Sequence, residues 1–147
     1  MKRNALISFE KWKSKKDRCP LLIRGARQVG KTWLVREHGK SYKNFVEINL
    51  EAQTELAQSF KDFFGKPEEL ITAISQLTGN KITQDSETLL FIDEIQACPE
   101  ALLSLRYFKE KLPALPVIAA GSLLEFAFSD LSFPVGRIDF LHLFPMN

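Results

Sequence analysis

Along the chain, short apolar blocks alternate with longer stretches whose apolar residues recur three and four positions apart. Leu6, Phe9 and Trp12 have the spacing of one helix stripe near the N-terminus. Pro20 then leads into Leu21-Leu22-Ile23-Arg24, a strand closed by Gly25, and a glycine-containing loop precedes a helix over 31–37. Residues 45–50 alternate with period two and predict a second strand. The stretch 53–78 reads as helical, restarted at Pro67-Glu68-Glu69 because proline and carboxylates both suit a first turn. Leu70, Ile71, Ile74 and Leu77 share one face there, and Gly79 ends it. Leu89-Leu90-Phe91-Ile92 is continuously apolar, as in a strand covered on both faces, and runs into Asp93-Glu94. Pro99-Glu100 opens a helix carrying Leu102, Leu105, Phe108 and Leu112. Residues 117–122 give a fourth strand and 138–144 a fifth. Strands alternating with helices predict an α/β domain built on a mainly parallel sheet.

Composition changes this picture little. A chain of 147 residues, 45% hydrophobic and 26% charged, is large enough to fold around one core without staples and is unlike a disordered chain. Its apolar runs are far too short to cross a membrane, and no apolar core follows the N-terminal charges as in a signal peptide. Cys19 and Cys98 stand far apart with no ligand cluster near them, which points to reduced thiols and a cytoplasmic protein. The net charge of +2 conceals an asymmetry, since seven of the first 18 residues are basic and two acidic. That segment is either a solvated helix face or a contact for nucleic acid. His38 and His142 look isolated, the latter on an exposed or edge strand position.

The chemistry is concentrated in Gly25-Ala26-Arg27-Gln28-Val29-Gly30-Lys31-Thr32, which fits the Walker A pattern G-x-x-x-x-G-K-[ST] at every fixed position. Glycines allow a tight loop whose N–H groups converge on phosphate oxygens, and the following helix adds its positive end. Lys31 reaches the β- and γ-phosphates, and the Thr32 hydroxyl takes a place on Mg²⁺. Trp33, next in line, reads as core packing. The buried strand ending in Asp93-Glu94 supplies a second element of Walker B type. Asp93 would reach the metal through water and Glu94 would accept the proton of the attacking water. The bland alternative is that the pair merely caps the next helix.

A glutamate directly after the metal aspartate favours ATP hydrolysis over kinase or GTPase chemistry. Asn80-Lys81-Ile82-Thr83 lacks the aspartate of a guanine-reading motif and precedes the Asp93 strand, so it lends GTP no support. Ser122, after Gly121, is either a γ-phosphate sensor, if its strand lies between those of Lys31 and Asp93, or a helix N-cap. Arg137, beside Gly136, is either a neutraliser of γ-phosphate charge in its own or a neighbouring chain, or a surface arginine.

Taken together, residues 24–32 and Leu90-Phe91-Ile92-Asp93-Glu94-Ile95-Gln96 resemble the prokaryotic AAA family ATPases of the type 14 AAA domain. The lead-in helix with Trp12, Gly121-Ser122, Gly136-Arg137 and the closing Leu-Phe-Pro-Met are similar as well, so the resemblance spans nearly the whole chain. It implies a three-layer P-loop NTPase sandwich with a five-stranded sheet in the order 5-1-4-3-2. It also implies binding of ATP with Mg²⁺, with Lys31 and Thr32 as phosphate and metal ligands. Asp93 and Glu94 become the metal and base pair, Ser122 a sensor and Arg137 a catalytic arginine, with homo-oligomers as possible assemblies. Residues 1–147 would then form an ATPase core, residues 1–18 its basic lead-in, without the lid and C-terminal domain found in the family.

Overall fold

The computed structural model describes residues 2–25, 30–121 and 136–143. Five helices, α1 (Lys2–Lys13), α2 (Lys31–Gly39), α3 (Thr54–Asp62), α4 (Pro67–Thr78) and α5 (Pro99–Lys111), accompany five strands. The strands are β1 (Leu21–Gly25), β2 (Asn44–Asn49), β3 (Thr88–Asp93), β4 (Val117–Ala120) and β5 (Asp139–Leu143). They form one sheet in the order β2-β3-β4-β1-β5, and every neighbouring pair is parallel. This is the order and class expected, with β4 between β3 and β1.

A parallel sheet needs cover on both faces, and alternate side chains of each strand supply two cores. Leu22, Val46, Ile48, Leu90, Ile92 and Val117 pack under α3, α4 and α5. Leu21, Ile23, Leu89, Phe91 and Ile118 pack under α1 and α2 through Phe9, Trp12, Leu34 and Val35. The helical stretch 53–78 divides in two at Pro67, as its first-turn chemistry indicated. Leu70, Ile71 and Ile74 are buried, but Leu77 is 47% exposed. Its place on the apolar face does not bury it, because it lies in the last turn of α4, just before the Gly79 cap. Both cysteines are free and buried, as expected of reduced thiols. Among the described residues no helix is long and apolar enough to cross a membrane.

His38 is not isolated. It is 3% exposed, with its ring 5.2 Å from Phe9, 6.4 Å from Trp12 and 5.1 Å from Tyr42. Its Nε2 shares a 2.9 Å hydrogen bond with the Tyr42 hydroxyl, and its Nδ1 lies 3.4 Å from a Glu10 carboxylate oxygen. The ring therefore ties α1 to α2, the helix that carries Lys31 and Thr32. Burial holds the His38 pKa below its ordinary value, Lys13 acts in the same direction and Glu10 opposes both. As pH falls, the unfolded chain protonates at this position before the folded one does. The contribution of a neutral His38 is thus complete above about pH 6.5 and is lost progressively below it. Thermal unfolding followed from pH 7.5 down to 5.5 should show declining stability, and His38→Gln should flatten that decline.

The connections set the place of the site. The chain leaves β1 toward α2 on one face and leaves β3 toward α5 on the other. In such sheets the diverging connections open a crevice at the carboxyl ends of the strands. Gly25, Asn49, Asp93 and Ala120 all end their strands at that edge.

Candidate active site

Gly25 ends β1 beside Leu143 of β5. A Cβ on Gly25 would stand 2.6 Å from the Leu143 carbonyl oxygen, a backbone atom that cannot give way, so only glycine fits the approach. Across the loop, Gly30 adopts left-handed φ 76° and starts α2. No side chain caps that helix and its first turn holds no carboxylate, so the N-terminal amides keep their appetite for an external anion. Ala26, Arg27, Gln28 and Val29 lie outside the described residues, as does Ser122.

Lys31 is only 7% exposed. Its ammonium donates to the carbonyl oxygens of Gly25 at 3.0 Å and Gly121 at 2.9 Å, bridging the ends of β1 and β4. One residue on, the Thr32 hydroxyl donates to Asp93 Oδ2 at 3.2 Å. The other Asp93 oxygen accepts the Glu94 N–H at 2.9 Å. Burial pushes the Asp93 carboxyl up from the usual carboxylate range, and Glu94 and Glu47 add to the effect. The hydrogen bonds from the Glu94 N–H and Thr32 pull the other way. A carboxylate so placed gains from a cation beside it.

Glu94 takes left-handed φ 52°, a conformation costing a non-glycine residue roughly 1–2 kcal/mol. The turn swings it out of the strand line at the head of a short 3₁₀ turn, Ile95–Ala97. There the Gln96 carboxamide nitrogen donates to Glu94 Oε2 at 2.6 Å. The cleft is about 610 Å³, lined by Gly30, Lys31, Thr32, Trp33, Asn49, Glu51, Ala52, Asp93 and Glu94.

The donor set suits Mg²⁺ and a phosphate chain. Thr32 and Asp93 offer two hard oxygens side by side. Among the described residues no group of three or more His, Cys, Asp or Glu side chains forms a closed cage. Mg²⁺ characteristically takes one or two protein oxygens and fills its octahedron with phosphate oxygens and water.

Gly25, Gly30, Lys31, Thr32, Asp93 and Glu94 are therefore brought together at one edge of the sheet. Arg137 is not. It precedes β5, whose first residue, Asp139, pairs with Leu21 at the start of β1. The length of β1, roughly 15 Å, separates that level from Gly25. The guanidinium pairs with Glu110 near the end of α5 at 2.6 Å. A role for Arg137 in the cleft of its own chain is thus not met, for the plain reason that it sits at the opposite end of a parallel sheet.

Two further residues depart from the sequence reading. Trp33 is 45% exposed and lines the cleft, so it is not the core residue that its spacing predicted. Gln96 carried no separate expectation, although its place two residues after Glu94 on a tight turn is the signal that marks it. The profile of the type 14 AAA domain, an AAA domain, matches residues 17–147. No curated protein matches the chain.

Proposed function

The chain belongs to the AAA domain family, a P-loop nucleotide-binding ATPase module, and from that premise we propose that its cleft binds ATP with Mg²⁺ and hydrolyses it to drive a conformational change. The observation that carries this reading is the hydrogen bond between Thr32 and Asp93, which joins the phosphate-loop helix to the acidic strand end beside Lys31. In use, the Lys31 ammonium turns from the Gly25 and Gly121 carbonyls to the β- and γ-phosphate oxygens. The amides at the start of α2, which no side chain caps, receive the same anion. Thr32 Oγ1 would hold the metal directly and Asp93 through water. Bound Mg²⁺ supplies charge neutralisation at the phosphates. Glu94 takes a proton from the attacking water as its oxygen bonds to the terminal phosphorus and the bond to the ADP oxygen breaks.

Ser122 follows Gly121 at the end of the strand between those of Lys31 and Asp93, so a sensor role for it belongs to this proposal. Arg137, 43% exposed, can serve only another copy's cleft, which ties its role to assembly, a frequent habit of the family.

Phosphate release from ATP tests the reading. Turnover that requires Mg²⁺ and stops with a chelator supports it. ATP binding without turnover at any protein concentration would leave a nucleotide-dependent switch in its place. The nucleic-acid reading has less support. Lys15 pairs with Asp139, Lys13 bonds to Ser41, and Arg18 donates to the Ala114 carbonyl, so much of the basic segment is committed to the fold.

A further inference from the structure

We infer that Gln96 is the positioning residue that orients the Glu94 carboxylate, and that Gly121 has no side chain because the Gln96 carboxamide occupies that space; the inference rests on Glu94 being the base. Three observations converge. The Gln96 amide nitrogen donates to Glu94 Oε2 at 2.6 Å, which fixes one carboxylate oxygen and does not engage the other, Oε1. Among the described residues the Gln96 carboxamide oxygen is buried without a hydrogen-bond partner, an arrangement that costs free energy and is tolerated where the other end of the group has work to do. A Cβ built on Gly121 falls on that same Gln96 oxygen.

The contact has a reason in the backbone. Glu94 stands at a left-handed turn at the head of the one-turn helix Ile95–Ala97, and its side chain makes no capping hydrogen bond to that helix. A flexible glutamate with several rotamers is a poor base until something fixes it, because proton transfer requires the acceptor within hydrogen-bond reach of the water. Gln96 supplies that constraint from two residues away, and its own amide is wedged against the end of β4. Gly121 also gives its carbonyl to Lys31. The base and the phosphate lysine are thereby held against one backbone segment. A shift of that segment would move both together.

The test is a double-mutant cycle on the full chain. Gln96→Met keeps the length and volume of the side chain but cannot donate. It should lower kcat about 10- to 100-fold, the scale of one hydrogen bond to a charged group, with the Kd for MgATP within about twofold of wild type. In a Glu94→Gln background the same substitution should have no further effect on turnover, because Gln96 acts only through Glu94. A residue that merely supported the fold would add its loss in both backgrounds. Gly121→Ala, which displaces the carboxamide, should reproduce the loss in kcat.

A readout without turnover accompanies these. The Gln96 side-chain amide proton resonance of the nucleotide-free chain should shift when Glu94 is replaced by alanine. If that resonance does not move, or if Gln96→Met leaves kcat unchanged while Glu94→Gln lowers it, the positioning role is wrong and the base assignment survives. If Glu94→Gln itself leaves turnover unchanged, the base assignment falls and this inference falls with it.

Discussion

Glu94→Gln is expected to reduce phosphate release by about 10²–10³-fold, within the range a general base contributes, while MgATP still binds. The substitution is close to isosteric and its amide oxygen can still accept the hydrogen bond that Gln96 donates to Glu94 in the native chain. The strained turn at φ 52° should therefore persist, and the fold with it. What is lost is a site that can accept a proton at neutral pH. Calorimetric titration with MgATP should give a Kd within a few-fold of wild type beside the collapsed turnover. Unchanged phosphate release would remove Glu94 from the reaction.

The second large effect is on binding. Lys31→Ala should weaken ATP binding by about 100-fold or more, the scale of one or two hydrogen bonds between charged groups. The argument is geometric. Lys31 is almost wholly buried, and its ammonium donates to the carbonyls of Gly25 and Gly121, both of which lie at the cleft. A buried ammonium held by two neutral carbonyls has more to gain from an anion than from either of them. Thermal unfolding of the variant separates a binding defect from a folding one. An unaltered affinity with an intact fold would contradict the assignment.

Much of this was legible from residue order, and the exceptions share a cause. The period-two and helical runs located the five strands to within a residue or two, whereas the basic lead-in expected over 1–18 is helical only to Lys13 and the run 53–78 is broken between Asp62 and Pro67. The continuous apolar run at 89–92 identified β3 as buried on both faces. The order of the strands came instead from the resemblance, since spacing along a chain does not say which strands are neighbours. Lys31, Thr32, Asp93 and Glu94 could be singled out because their motifs have fixed local spacing, and the structure brings the four to one cleft. Trp33 was misread because helical spacing says which residues share a face, while whether that face meets sheet or cleft depends on how α2 sits. His38 was misread because its partners, Phe9, Trp12 and Glu10, are distant in sequence and arrive only with α1. Arg137 precedes a strand, and the direction of that strand put it at the far end of the sheet. Leu77 shows that an apolar face outlasts the core it covers.

All of these assignments depend on one claim, that the carboxyl edge of the sheet between β1 and β3 is the nucleotide site. Backbone amide resonances followed through a titration with Mg²⁺ and a non-hydrolysable ATP analogue test it most directly. Saturable shifts confined to Gly25, Gly30, Lys31, Thr32, Asp93, Glu94 and Gly121, with the loop joining β1 to α2, are the predicted result. Shifts gathered instead on α1 or α4, or no saturable shifts at all, would contradict it.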